Sequence, residues 1–250
     1  MFERIKVSKL NDHVYLMDDA KESTGYLVVG SQKALVIDTM NGYENVYEVV
    51  RTITSLPVVV VNTHGHCDHI YGNIYFEEAF MDPADLPIAQ KHMENPQFVK
   101  LCEEKGLKMP PFLPIQGGDS IELGDLHVEI VELPGHTPGG ILLLLKEDRI
   151  LFTEDSINHQ VWMQLEESLP MAEYVKNFEK VIYLEKEADI ILHGHALRPD
   201  NITLMGKVLQ GAREIAEGKT RGDEVFHWFG GDGKDRQHPY DNEGSVICYR

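Results

Sequence analysis

The stretch Thr63-His64-Gly65-His66-Cys67-Asp68-His69 brings three histidines and a carboxylate into six consecutive positions, His64 to His69. It follows Pro57-Val58-Val59-Val60-Val61-Asn62, a β-branched apolar run that reads as a buried strand ending at Asn62. Where the strand gives out, His64 and His66 still project to one side, because side chains alternate with a period of two. Asp68 and His69 then fall at the turn into the next segment and are free to point elsewhere. A histidine standing alone is most often a surface or hydrogen-bonded core residue. This density of ligands just beyond a core strand points to metal, and the split geometry suits two adjacent ions better than one. Cys67 lies between the ligands, but strand alternation turns it away from His66 and predicts a packed thiol.

Three further positions are candidates to complete a site. His136 sits at the tip of a turn fixed by Leu133-Pro134-Gly135-His136-Thr137-Pro138-Gly139-Gly140, after an apolar strand over 126–131. Asp155 closely follows a strand over 149–152, and His195 lies in His193-Gly194-His195 after a strand over 189–192. Each has an ordinary reading: a turn histidine, a helix-capping aspartate, a surface histidine. That all three sit at strand ends, like the first cluster, makes those readings jointly improbable.

Short strands over 5–9, 14–17, 25–29 and 34–37, separated by turn signals, predict an antiparallel meander. Apolar residues at helical spacing predict helices over 44–54, 69–80, 171–182 and 201–217. Asn95-Pro96 as cap and first turn, with Gly106 as stop, predicts a helix over 96–105. Residues 106–114, with Pro110-Pro111, predict a loop, and 120–152 returns to strands. The two halves, about 1–115 and 116–250, share a plan. Each has antiparallel strands, a strand ending in an acid (Asp38; Asp155), a helix, and a strand ending in histidines. Two such sheets, each covered outside by helices, predict an α/β fold of four layers, an αββα sandwich in one domain over 1–250. The strand ends converge at one edge between the sheets.

The order His64-x-His66-x-Asp68-His69, then His136, Asp155 and His195, resembles the metallo-β-lactamase-fold hydrolase superfamily across essentially the whole chain. The resemblance implies that His64, His66 and His136 hold one metal, that Asp68, His69 and His195 hold a second, and that Asp155 bridges both. Asp38, where the superfamily has an aspartate ending an early strand, is implied to orient a ligand histidine. Imidazole and carboxylate ligands suit two divalent ions, zinc first, with iron or manganese as alternatives. A water shared by two such ions ionises readily, one zinc alone bringing its water to a pKa of about 7, and the resulting hydroxide would be the nucleophile. Asp68, beside it, is a candidate to orient it or carry its proton. His193 stands where the superfamily commonly has proline and is a second candidate catalytic residue.

Thr63 to His69 with Gly72-Asn73, and Gly135-His136-Thr137-Pro138-Gly139, look most like the glyoxalase II branch, whose members hydrolyse a glutathione thioester. That branch also carries a C-terminal helical domain with basic residues, whereas residues 196–250 here offer one helix and a Gly-rich tail. The expected substrate is therefore a small ester, thioester or lactone. Alternatives within the fold are an iron-dependent persulfide dioxygenase and a phosphodiesterase. Loops over 40–43, 106–115 and 156–169, with Tyr43, Met109, Phe112, His159, Trp162 and Met163, are expected to line the pocket. The tail over 219–244, with Phe226, Trp228 and Phe229, would cover either a partner subunit, since an oligomer is possible, or the active-site rim.

Against 23 lysines and arginines stand 41 acids, a formal charge of −18 that disfavours nucleic acid and anionic membranes. Three scattered cysteines are too few for a disulfide framework. No apolar run approaches the roughly 18 residues of a membrane span, and the first residues lack a signal-peptide pattern, which together predict a cytoplasmic protein.

Overall fold

Ala34–Ile37 and Val58–Val61 are apolar strands that pair parallel, Ala34 against Val58 through Ile37 against Val61, so both end on one edge. A parallel pair needs cover on both faces, and the alternation of its side chains provides it. Leu35, Ile37 and Val61 face one apolar cluster, while Ala34, Val36 and Val60 face another. In the computed structural model, which describes residues 2–250, this pair lies in a seven-stranded sheet. Its order is that of the chain: β1 (Ile5–Lys9), β2 (Val14–Asp19), β3 (Ser23–Val29), β4 (Ala34–Ile37), β5 (Val58–Val61), β6 (Ala79–Met81) and β7 (Phe112–Pro114). The first four are antiparallel and β4 to β7 are parallel.

A second sheet repeats the plan with β8 (Ser120–Glu122), β9 (His127–Glu132), β10 (Ile141–Leu145) and β11 (Ile150–Phe152). After β12 (Gln160–Trp162), which lies elsewhere, β13 (Ile190–Leu192) pairs parallel with β11, and β14 (Asp200–Asn201) forms the edge. Ile141, Leu143, Leu145, Ile150 and Phe152 meet Leu35, Ile37 and Val61 between the sheets, and the Phe152 ring stands edge-on to Tyr26 at 5.3 Å. Leu142, Leu144, Leu151 and Ile191 face outward against α5 (Met171–Val181) and α6 (Leu204–Ala216). On the other side α1 (Val46–Arg51) lays Val46, Val49 and Val50 on the first sheet. Helix, sheet, sheet, helix is the αββα sandwich expected.

The helix over 96–105 is present as α4 (Pro96–Lys105). Asn95 Oδ1 accepts from Gln97 N, and Gly106 turns left-handed at φ 64°. The helix expected over 69–80 is instead α2 (Cys67–Ile70) followed by a 3₁₀ turn over Tyr71–Tyr75. A continuing helix would need the His69 carbonyl to accept from Asn73. That oxygen already takes Thr39 N–H at 2.8 Å and Asn62 Nδ2 at 2.9 Å. The loop expected over 106–114 contains β7, and α3 (Leu86–Met93) was not foreseen. Nor was a third sheet, in which β12 pairs with β17 (Val246–Tyr249), then β16 (Arg236–Pro239) and β15 (Glu224–Val225). Among the described residues no helix is long and apolar enough to cross a membrane.

Candidate metal centre

Because β4 pairs parallel with β5 and β11 with β13, four strand ends open on one edge, and residues 63–69, 136, 155 and 195 gather there. Rings of His64, His66 and His136 lie 4.7 to 5.1 Å apart, centroid to centroid, each pair nearly perpendicular. His69 and His195 face each other at 5.9 Å. Between the two groups stands Asp155. Its Oδ2 lies 3.4 Å from His195 Nε2, 3.6 Å from His69 Nε2 and 3.8 Å from His136 Nε2. Asp68 Oδ2 lies 3.5 Å from His195 Nε2 and 3.6 Å from His69 Nε2. All seven sequence candidates for metal thus share one locus.

Each imidazole has one nitrogen tied to a protein acceptor, which fixes its tautomer. His69 Nδ1 donates to Asp38 Oδ2 at 2.7 Å, His136 Nδ1 to the Trp162 carbonyl at 2.7 Å, and His195 Nδ1 to the Glu22 carbonyl at 2.7 Å. His66 Nε2 donates to Glu167 Oε1 at 2.8 Å. Thr63 Oγ1 gives its hydrogen to Asp38 Oδ2 at 2.6 Å, so it accepts from His64 Nδ1 at 3.1 Å. The opposite nitrogens carry lone pairs into a common space. His64 Nε2 and His69 Nε2 are buried without a hydrogen-bond partner, as is Asp155 Oδ1.

The electrostatics follow the same division. Burial, then the surrounding imidazoles, push His64 well below the usual histidine range, and burial with His66 brings His136 to about 4. Asp155 raises His195 to about 9. Burial alone would raise the Asp155 carboxyl, but His195 and His69 outweigh it and hold it well below the usual aspartate range. Five imidazoles and two carboxylates of this kind are a donor set for divalent transition metals.

Two buried acids at the site escaped the sequence reading. Asp85 accepts from Gly65 N at 2.7 Å and Gly139 N at 2.6 Å, clamping the His64/His66 and His136 loops together. A β-carbon at Gly65 would come 2.7 Å from the Asp85 carbonyl, and one at Gly139 2.8 Å from its carboxylate. Glu154 is fully buried with both carboxyl oxygens unpaired, and burial followed by Asp38 pushes it well above the usual glutamate range. Neither has a motif around it; both are revealed only by packing.

His193 stands apart from the seven. Its Nδ1 donates to the Gly194 carbonyl at 2.6 Å, and its Nε2 lies 3.0 Å from Asp200 Oδ2. Cys67 begins α2 rather than continuing a strand, so alternation does not place it. It borders the cavity half-buried, and burial with Asp68 raises its thiol to about 11.

A cavity of about 990 Å³ opens over the site. Trp162 and His159 line it as expected; Tyr43, Met109, Phe112 and Met163 do not. Met109 and Phe112 pack on Ile70, Met81 and Ala89, Met163 lies in the core under α5 and α6, and Tyr43 is half exposed beneath Arg4. The tail supplies the missing wall. Trp228 lies 5.4 Å from Trp162 with Phe229 beside both, and Lys91, Arg198 and Arg250 stand around the rim.

Residues 19–195 match the metallo-beta-lactamase superfamily. The acyl-coenzyme A thioesterase MBLAC2 of Gallus gallus is 31% identical over 157 residues, 53% of this chain and 56% of that protein. A hydroxyacylglutathione hydrolase of Brucella abortus is 28% identical over 57% of this chain and 49% of its own. These two matches span about half of each relative's length. Among solved structures, a metallo beta lactamase from Erythrobacter litoralis superposes with a TM-score of 0.65 at 20% identity, over 86% of this chain and 98% of that one.

Proposed function

The chain belongs to the metallo-beta-lactamase superfamily, and from this we propose that it is a metal-dependent hydrolase that cleaves a small thioester at a binuclear centre. In this reading His64, His66 and His136 would hold one divalent ion, Asp68, His69 and His195 would hold the other, and Asp155 would be shared between them, with zinc the first candidate. One observation carries it. Five histidines have one nitrogen each committed to a protein acceptor; the other nitrogens of His69, His136 and His195 lie 3.4 to 3.8 Å from Asp155 Oδ2, that of His66 lies 3.0 Å from His136 Nε2, and that of His64 is buried without a partner. When bound, such a pair of ions supplies the Lewis acidity that makes water nucleophilic at neutral pH and polarises a carbonyl.

The chain's own residues do the rest. Asp38, Thr63, Glu167, Trp162 and Glu22 hold the imidazoles so that little reorganisation is needed at reaction. Asp68, half-buried and bordering the cavity, takes the proton released as water adds to the thioester carbon. It returns that proton to the sulfur as the carbon–sulfur bond breaks, leaving an acid and a thiol. Trp162, Trp228 and Phe229 offer an apolar face for the acyl part, and Lys91, Arg198 and Arg250 attract an anionic carrier. The names of the two relatives favour a thioester over an ester or lactone.

Metal analysis of the purified protein, followed by turnover assays on acyl thioesters, lactones and phosphodiesters, tests the reading. Two ions per chain at this locus and preferred thioester hydrolysis are expected. Turnover of phosphodiesters alone, or oxygen uptake with a persulfide and bound iron, would replace it with one of the alternatives.

A further inference from the structure

A second group of ligand atoms lies on the wall of the same cavity. His193 follows β13, Asp200 opens the neighbouring β14, and His159 directly precedes β12 of the third sheet. His193 Nε2 and His159 Nε2 lie 3.0 and 3.2 Å from Asp200 Oδ2, and the two rings are 5.4 Å apart.

The hydrogen positions follow from the neighbours. Gly194 O can only accept, so His193 Nδ1, 2.6 Å away, carries the hydrogen. His159 Nδ1 lies 2.8 Å from Ser245 Oγ, and that hydroxyl gives its own hydrogen to Asp241 Oδ2 at 2.6 Å. The hydroxyl therefore accepts, and His159 Nδ1 also carries its hydrogen. Both neutral rings then direct a lone pair at a carboxylate oxygen that has only lone pairs to offer. Three acceptors this close repel unless something positive sits among them. Among the described residues no lysine or arginine forms an ion pair with Asp200.

A single metal satisfies all three atoms. With bonds of about 2.0–2.1 Å, tetrahedral zinc sets its ligand atoms about 3.3 Å apart, close to the 3.0 and 3.2 Å found here. We propose that His159, His193 and Asp200 form a third divalent-metal site, separate from the binuclear centre, with its open position toward the cavity. The ion ties β12, and through it the sheet that carries the aromatic wall, to the edge of the second sheet. Gly194-His195 follows His193 directly, so the same ion fixes the segment that presents His195.

The full chain, stripped of metal and refilled with excess Zn2+, is desalted and its zinc per chain measured by mass analysis. His159→Gln and Asp200→Asn should each retain one zinc fewer than the parent, and the thermal upshift produced by zinc should be smaller in both. Asp155→Ala should instead lose zinc from the binuclear centre and keep the ion at His159, which separates failure of this site from failure of the proposed function. Equal zinc content in the parent, His159→Gln and Asp200→Asn would overturn the third site and leave the cluster held by protons.

Discussion

Asp38 and Asp155 occupy the same station in the two halves of the molecule, each beyond a strand that pairs parallel with a histidine-bearing one, and their surroundings are opposite. Asp38 follows β4 immediately, with φ 57°, and turns inward. It accepts Thr63 N–H, Thr63 Oγ1–H and His69 Nδ1–H at 2.6 to 2.8 Å, so its oxygens are fully used by the protein. Asp155 lies two residues further from its strand, in the 3₁₀ turn Glu154–Ser156. It faces three imidazoles with Oδ1 unpaired. A β-carbon at Gly194 would overlap that oxygen, so the glycine of His193-Gly194-His195 gives it room. A two-residue offset thus separates an acid that aims histidines from an acid placed among their free nitrogens.

Replacing the two acids is the sharpest test of that division. Asp155→Ala should lower kcat/KM on the order of 10³-fold or more, with loss of bound metal, because it removes the group shared by both sets of histidines. Asp38→Asn keeps the shape but removes the charge behind His69 and, through Thr63, behind His64. A loss of roughly 10- to 100-fold in activity or metal affinity is expected. Parallel assays of kcat/KM and metal content decide between them, and equal losses would erase the distinction.

Most of this arrangement was legible in the sequence because its signals are local. Short apolar strands with period two gave both sheets, and ligand-type residues near strand ends marked seven side chains that the fold brings to one edge. What was not legible depends on distant partners. The 69–80 helix stops because Thr39 and Asn62 claim the His69 carbonyl. Asp85 joins Gly65, 20 positions before it, to Gly139, 54 positions after it, with no pattern to announce it. The cavity wall was assigned in part to Met109 and Phe112, while Trp228 and Phe229 were left over either a partner or the site rim; only the third sheet, which folds the tail over the site, decides between them.

Glu167 extends the comparison to an acid at the border of the cavity. It holds His66 through Nε2, the reverse of the other four rings, and it is partly exposed where Asp38 is fully buried. The His66 contact, against a smaller opposing effect of burial, keeps its carboxyl at about 2. Water can replace a partner at that depth, so Glu167→Gln should cost no more than about 10-fold in kcat/KM, at the low end of what such supporting contacts provide. A loss as large as that of Asp38→Asn would mean that burial does not set the importance of an orienting acid.

A tyrosine hydroxyl also joins the two halves, and its removal gives the smallest effect. Tyr26, on β3 and fully buried, donates to the His193 carbonyl at 2.8 Å, tying the first sheet to the segment that leads to His195. Thr24 Oγ1 reaches the same carbonyl at 3.3 Å, so Tyr26→Phe leaves that oxygen one partner rather than none. The ring still packs on Phe152. The expected loss is therefore about 1 kcal/mol in denaturant unfolding, nearer the net worth of one hydrogen bond than the penalty of an orphaned buried carbonyl. Activity should change little, since His195 keeps its own tether to Glu22. A large fall in activity with only this small loss of stability would show that the halves are coupled through His193 and not merely packed together.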